Sequence, residues 1–182
     1  DLAQAVRVGL PIGMQMAAEV GLFTLVALLA GRLGTSELAA HQIAITLAGF
    51  SFCVSLGIGA AGSVRVGRAI GAGDAAGTRR AGLSALGAGG SFMALPALVF
   101  FAFPKQLVAL LSDSPEVAAA AAPLMIVAAF FQISDGLQAV GAGVLRGAGD
   151  TRFPFAVNLL GHYGLGLPVA IGLGLFAGLG IM

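Results

Sequence analysis

Apolar residues in this chain run continuously. They neither alternate nor keep to every third and fourth place. Five runs stand out, at about 8–31, 38–64, 81–103, 117–145 and 153–180. Each is close to or above the roughly 20 residues that a helix needs to cross a bilayer. The breaks between them carry charge or turn formers: Arg32 to Glu37, Arg65 to Arg80 with Gly71, Gly73 and Gly77, Lys105 to Glu116 with Pro115, and Arg146 to Arg152. A membrane barrel would show alternating segments of about ten residues. The pattern therefore predicts an all-α, polytopic membrane protein with five spanning helices. Within the second run, Ser55, Gly59, Ser63 and Gly67 recur at every fourth position. Such a stripe lets helix backbones approach closely in lipid, where dispersion rather than the hydrophobic effect drives packing.

Composition sharpens this reading. Hydrophobic residues make up 58% of the 182 positions and charged residues only 9%, against about 25% charged in a soluble domain. So few charges cannot coat a water-facing surface. The net charge of +1 supplies no basic face for nucleic acid, and Cys53, alone, can form no intrachain disulfide. No cluster has the ligand spacing of a zinc site. The chain begins at Asp1 and stops inside an apolar run at Met182, so it is expected to be a piece of a longer protein.

Arginine sets the expected orientation. If five helices alternate, the N-terminus, the second gap and the fourth gap share one side. That side carries Arg7, Arg65, Arg68, Arg79, Arg80, Arg146 and Arg152, and the other carries Arg32 and Lys105. Positive charge gathers on the cytoplasmic side, so the N-terminus is expected there.

Two acids interrupt the apolar runs. Glu19 lies twelve residues after Arg7, and Asp135 eleven residues before Arg146. At about 1.5 Å per residue, both fall roughly 16–18 Å from the cytoplasmic edge. Two independent spans thus place a carboxylate at one depth, near the midplane. Gln15 and Phe23 share a helix face with Glu19, and Phe131, Gln132 and Gln138 with Asp135. A charge at the bilayer centre costs at least ~2.5–3.5 kcal/mol, so a protein-lined or watery cavity is the expected home. The functional reading is a cation or proton site. The alternative is a neutral structural acid, hydrogen-bonded between helices. His162, ten residues past Arg152, falls at similar depth. It is a candidate for a proton relay, or else a neutral imidazole bonded to a backbone carbonyl. Gln15, Met16, Phe131, Gln132 and Gln138 are the candidate lining of a substrate cavity.

Two motifs mislead. GIGAAG at 57–62 matches G-x-G-x-x-G, but the nucleotide fingerprint needs a strand before it, and this match lies inside a span. GAGD occurs at 71–74 and 147–150 and is similar to the G-x-G-D of intramembrane aspartyl proteases. Both copies fall in arginine-rich gaps, and the only tyrosine, Tyr163, is followed by Gly164 rather than aspartate. A plainer reading is a glycine ending one helix and an aspartate capping the next.

GLPIGMQMAAEVGLF at 9–23, ELAAHQIA at 37–44, VGRAIGAGD at 66–74 and FQISDGLQAVGAGVLRGAGDTR at 131–152 together resemble the multidrug and toxic compound extrusion (MATE) family. The likeness is to its C-terminal lobe and covers nearly the whole chain. It implies five helices of a six-helix MATE-type lobe, with the twelfth helix and the N-terminal lobe lying elsewhere. It implies a multi-pass protein of the bacterial inner membrane and no enzyme activity. The implied function is secondary active antiport: organic cations or drugs leave in exchange for Na⁺ or H⁺, without a cofactor. By position, Glu19 and Asp135 match acids that the NorM-like branch of the family links to cation binding. Phe131 offers a π face but no hydroxyl ligand. A lobe by itself is expected to be inactive, because alternating access rocks one repeat against another. The rival readings are a lipid-linked saccharide flippase of the same superfamily, whose cavity should be basic, and a non-transporting membrane fragment.

Overall fold

The computed structural model describes residues 2–168. They form six α-helices: α1 (Leu2–Leu33), α2 (Thr35–Gly71), α3 (Ala75–Ala102), α4 (Pro104–Ala109), α5 (Pro115–Gly147) and α6 (Arg152–Leu159). A π-helical segment, Leu160–Gly166, follows directly. No strand occurs among the described residues. Helices α1, α2, α3 and α5 are long and apolar enough to cross a membrane, and they answer to the first four apolar runs. The fifth run opens with α6 and the π-helical segment; positions 169–180 lie outside the described residues. The surface is apolar, as lipid demands: Phe50 is 74% exposed and Leu110 76%.

The helices reach beyond the apolar runs at their arginine-rich ends. α2 continues past Arg65 and Arg68 to Gly71, and α3 begins at Ala75, well before residue 81. Apolar pattern marks contact with lipid, whereas helix ends are set by hydrogen bonding. Arginine stems also lie along apolar surface while their heads reach water. The chain reverses where glycine permits. Gly73 adopts φ +69 and Gly149 φ +83. Around the first, Asp74 N donates to Ala69 O and Gly73 N to Ile70 O. Around the second, Asp150 N donates to Leu145 O and Gly149 N to Arg146 O. Both are Schellman closures, the motif in which a left-handed glycine lets two N–H groups turn back onto the last turn's carbonyls. Each aspartate then caps the next helix. Gly77 N donates to Asp74 Oδ1 at 2.7 Å, and Arg152 N and Phe153 N to Asp150 Oδ1 at 3.0 Å. The two GAGD copies are therefore one helix-stop, helix-start device used twice.

Helix α4 lies in the break between the third and fourth apolar runs. It opens on a proline, a residue preorganised for the first helical position, and Val108 is its buried anchor.

The chain divides into two compact units. The first draws on Asp1–Thr46, Phe103–Val127 and Phe155–Met182, the second on Leu47–Ala102 and Ala128–Pro154. In the second unit α2 and α5 lie backbone to backbone, and the small-residue stripe is the seam. Gly59 meets the backbone of Ala139 and Gly143, and Ser63 meets Gly147. Partners rise in number together, so the two helices run the same way. α3 packs on another side of α5, with Gly89 against Val140, Gly82 against Val144 and Met93 against Gly136. In the first unit the π-helical segment packs on α1 through Tyr163.

Candidate functional site

Successive helical residues turn by about 100°, so the contacts of α5 sort its residues by face. Gln132, Gly136, Ala139, Gly143 and Gly147 point toward α2. Leu137, Val140 and Val144 point toward α3. Asp135 lies about 60° round from Gln132 on the side away from α3, with Phe131 and Gln138 about 100–120° round on that same side. Phe131 and Gln138 therefore lie on a third side of α5, and Asp135 lies between that side and the residues that face α2. Asp135 and Gln138 are half-buried there, and Phe131 is 41% exposed.

Gln132 parts from this group. It is 2% exposed, and its amide meets Ser51 of α2 at 2.8 Å. Sequence spacing sets it beside Asp135, since residues three apart are neighbours, and the contact with Ser51 shows that its own side chain is turned to α2.

Glu19 belongs to the first unit. On α1, Gln15, Glu19, Phe23 and Met16 fall within about 100° of one another. Gln15, Glu19 and Phe23 are half-buried and Met16 is exposed. The hydroxyl of Tyr163 donates to Ala18 O at 2.7 Å, and a Cβ at Gly21 would come within 2.9 Å of that hydroxyl. Gly21 stands about 200° from Glu19. Tyr163 thus grips the back of the turn that carries Glu19.

His162 is 8% exposed, with Nδ1 3.0 Å from Asn158 O. A carbonyl only accepts, so Nδ1 carries the proton. This is the imidazole–carbonyl contact anticipated from sequence. Asn158, four residues earlier, has a buried Oδ1 with no partner among the described residues. Sequence reasoning passed over Tyr163 and Ser51. Tyr163 was legible as the lone tyrosine four residues beyond Leu159, whereas nothing in the spacing paired Ser51 with a residue 81 positions away. Among the described residues no group of three or more His, Cys, Asp or Glu side chains could hold a metal.

Long apolar helices seamed by glycine define a helical membrane protein. The MatE family model matches residues 11–171, and the chain belongs to that family, one of transporters rather than enzymes. It is 42% identical over 168 residues to a probable multidrug resistance protein NorM of Rhizobium meliloti, covering 90% of this chain and 36% of that protein. It is 44% identical over 184 residues to the multidrug resistance protein NorM of Burkholderia vietnamiensis, covering 98% and 40%. The chain thus spans well under half the length of these relatives. Among solved structures, the outward-facing conformation of a multidrug resistance MATE family transporter superposes with a TM-score of 0.86 at 20% identity, covering 98% of this chain and 39% of that one. A transporter of the same superfamily from Pyrococcus furiosus, described as having a binding pocket of reverse polarity, superposes with a TM-score of 0.85 at 20% identity. The MATE-type fold is thereby shown.

Proposed function

We propose that this chain is the cation-coupling lobe of a multidrug exporter of the NorM-like branch. Two carboxylates set within membrane-spanning helices, Glu19 on α1 and Asp135 on α5, carry this reading. A charge at such a depth costs several kcal/mol, which function repays. The relatives named NorM support multidrug efflux. Glu19 on α1 supplies a second acid with the same kind of neighbours, a glutamine and an aromatic ring.

In this mechanism, Glu19 and Asp135 take up Na⁺ or H⁺ from outside. Carboxylate oxygens suit Na⁺, and a carboxylate can equally take up a proton. Occupancy neutralises the acids and loosens their hold on a cationic drug. The drug leaves, the lobes rock inward, and the ion is released to the cytoplasm. Pumping requires that ion and drug each bind the two conformations with different affinity. Met16 and Phe131 offer adaptable apolar contacts, with Gln15 and Gln138 as polar partners. In this reading His162 accepts a proton through Nε2. The N-terminus is cytoplasmic, and the membrane is the bacterial inner membrane.

The test is export of a cationic dye by the gene's complete product in everted vesicles, under imposed sodium and proton gradients in turn. Glu19→Gln and Asp135→Asn should reach the membrane at wild-type levels and lose gradient-driven export. The gradient that drives the wild type names the ion. Export at wild-type rates by both variants would end the coupling role. A flippase for pyrophosphate-linked sugars would need cationic cavity residues; the acids of α1 and α5 stand against it, and dye export would exclude it.

A further inference from the structure

Ser51 has one hydroxyl proton, yet two acceptors lie 2.8 Å from its Oγ: Ala48 O and Gln132 Oε1. One proton serves one of them. Meanwhile the buried Nε2 of Gln132 has no partner among the described residues. Turning the terminal amide over resolves both contacts, because amide oxygen and nitrogen are nearly isosteric. Nε2 then donates to Ser51 Oγ, and Ser51 donates to Ala48 O. The unpartnered atom becomes a carbonyl oxygen, which burial tolerates better than an N–H. The bond links α2 to α5 within one compact unit, and both residues are buried, at 7% and 2% exposure.

The link lies one helical turn before Asp135. Below it the α2–α5 seam is built of small residues, with Gly136 at Ser55 Oγ, Gly143 at Gly59 and Gly147 at Ser63. Ser55 Oγ is buried without a hydrogen-bond partner among the described residues, so it adds no directional bond to fix the turn of α5 about its axis. At the level of Asp135, Gln132 is the polar group that specifies rotation. A slip of α5 would bury its amide unbonded, at a desolvation cost larger than the bond itself is worth.

We propose that Gln132 and Ser51 are positioning residues for Asp135, holding α5 in the rotation that presents the carboxylate to the coupling ion. This rests on the coupling role assigned to Asp135. Gln132 therefore acts through α5 and is not part of the drug-binding surface.

The experiment uses the gene's complete product in vesicles, with ethidium as the exported dye. It reads the half-saturating concentration of the driving ion, as sodium titration or pH midpoint. Ser51→Ala removes the hydroxyl, and Gln132→Met keeps the length without the amide. Each should weaken apparent ion affinity by about threefold to tenfold, the range one buried hydrogen bond supports, with the half-saturating ethidium concentration unchanged. The double variant should shift no further than the larger single, because both act through one bond. Additive shifts, an unchanged ion dependence, or a change confined to ethidium affinity or membrane level would each overturn the proposal. Asp135→Asn is run beside them. Wild-type export by that variant would remove the coupling reading itself, an outcome separate from failure of the Ser51–Gln132 pair.

Discussion

Tyr163 donates its hydroxyl to the carbonyl oxygen of Ala18 at 2.7 Å, on the side of α1 opposite Glu19. The bond joins a π-helical segment to the turn that bears the acid. π-Helical turns are rare and recur at functional sites. Here the widened turn carries both His162 and Tyr163.

Tyr163→Phe keeps the ring and removes the bond. It should cost about 1 kcal/mol of stability, read as a lowered midpoint of thermal unfolding in detergent. Gly21→Ala should act at the same place, since its Cβ would stand 2.9 Å from the hydroxyl. A Gly21→Ala/Tyr163→Phe double variant should destabilise less than the sum of the two singles. Full additivity would show that the residues do not meet.

Gly143→Ala should be far more damaging. Its Cβ would fall against the backbone of Gly59, which cannot rotate out of the way. Overpacking of this kind costs about 1–3 kcal/mol or more. Gly87→Ala is the control, because nothing lies within 4 Å of its Cβ; there alanine should be neutral or slightly stabilising, as helix propensity favours it. Equal unfolding midpoints for the two variants would refute the α2–α5 seam.

The two GAGD turns predict matched losses. Gly73→Ala and Gly149→Ala each force a side chain into a left-handed backbone, costing about 1–2 kcal/mol. Asp74→Ala and Asp150→Ala each remove a cap worth about 1 kcal/mol. None should alter the ion that drives export. A variant with wild-type stability and no export would instead revive a chemical role for these aspartates.

Phe131→Ala removes a partly exposed ring from the face of Asp135. If that face receives the cationic drug, the lost cation–π contact, about 0.5–2 kcal/mol, should raise the half-saturating dye concentration by roughly twofold to thirtyfold. Protein level should hold, because little buried area is lost. Unchanged dye affinity would move the drug site elsewhere.

The sequence by itself determined that the chain is helical and lives in lipid, because continuous apolar runs and scarce charge leave no other solvent. It determined the two costly acids, because a carboxylate amid twenty apolar residues is visible without coordinates. It also determined the small-residue stripe of α2 and the repeated turn, since glycine and aspartate act within a few residues of themselves. Tertiary structure decided what depends on which side of a helix meets a neighbour. Periodicity puts Gln132 and Asp135 side by side, and only the contact with Ser51 shows that Gln132 is turned to α2. It likewise decided that Tyr163 meets Ala18, a residue 145 positions away, and that the turn at His162 widens to a π-helix. A helix looks the same from every side until something packs against it, so rotation about its axis is a property of the pair.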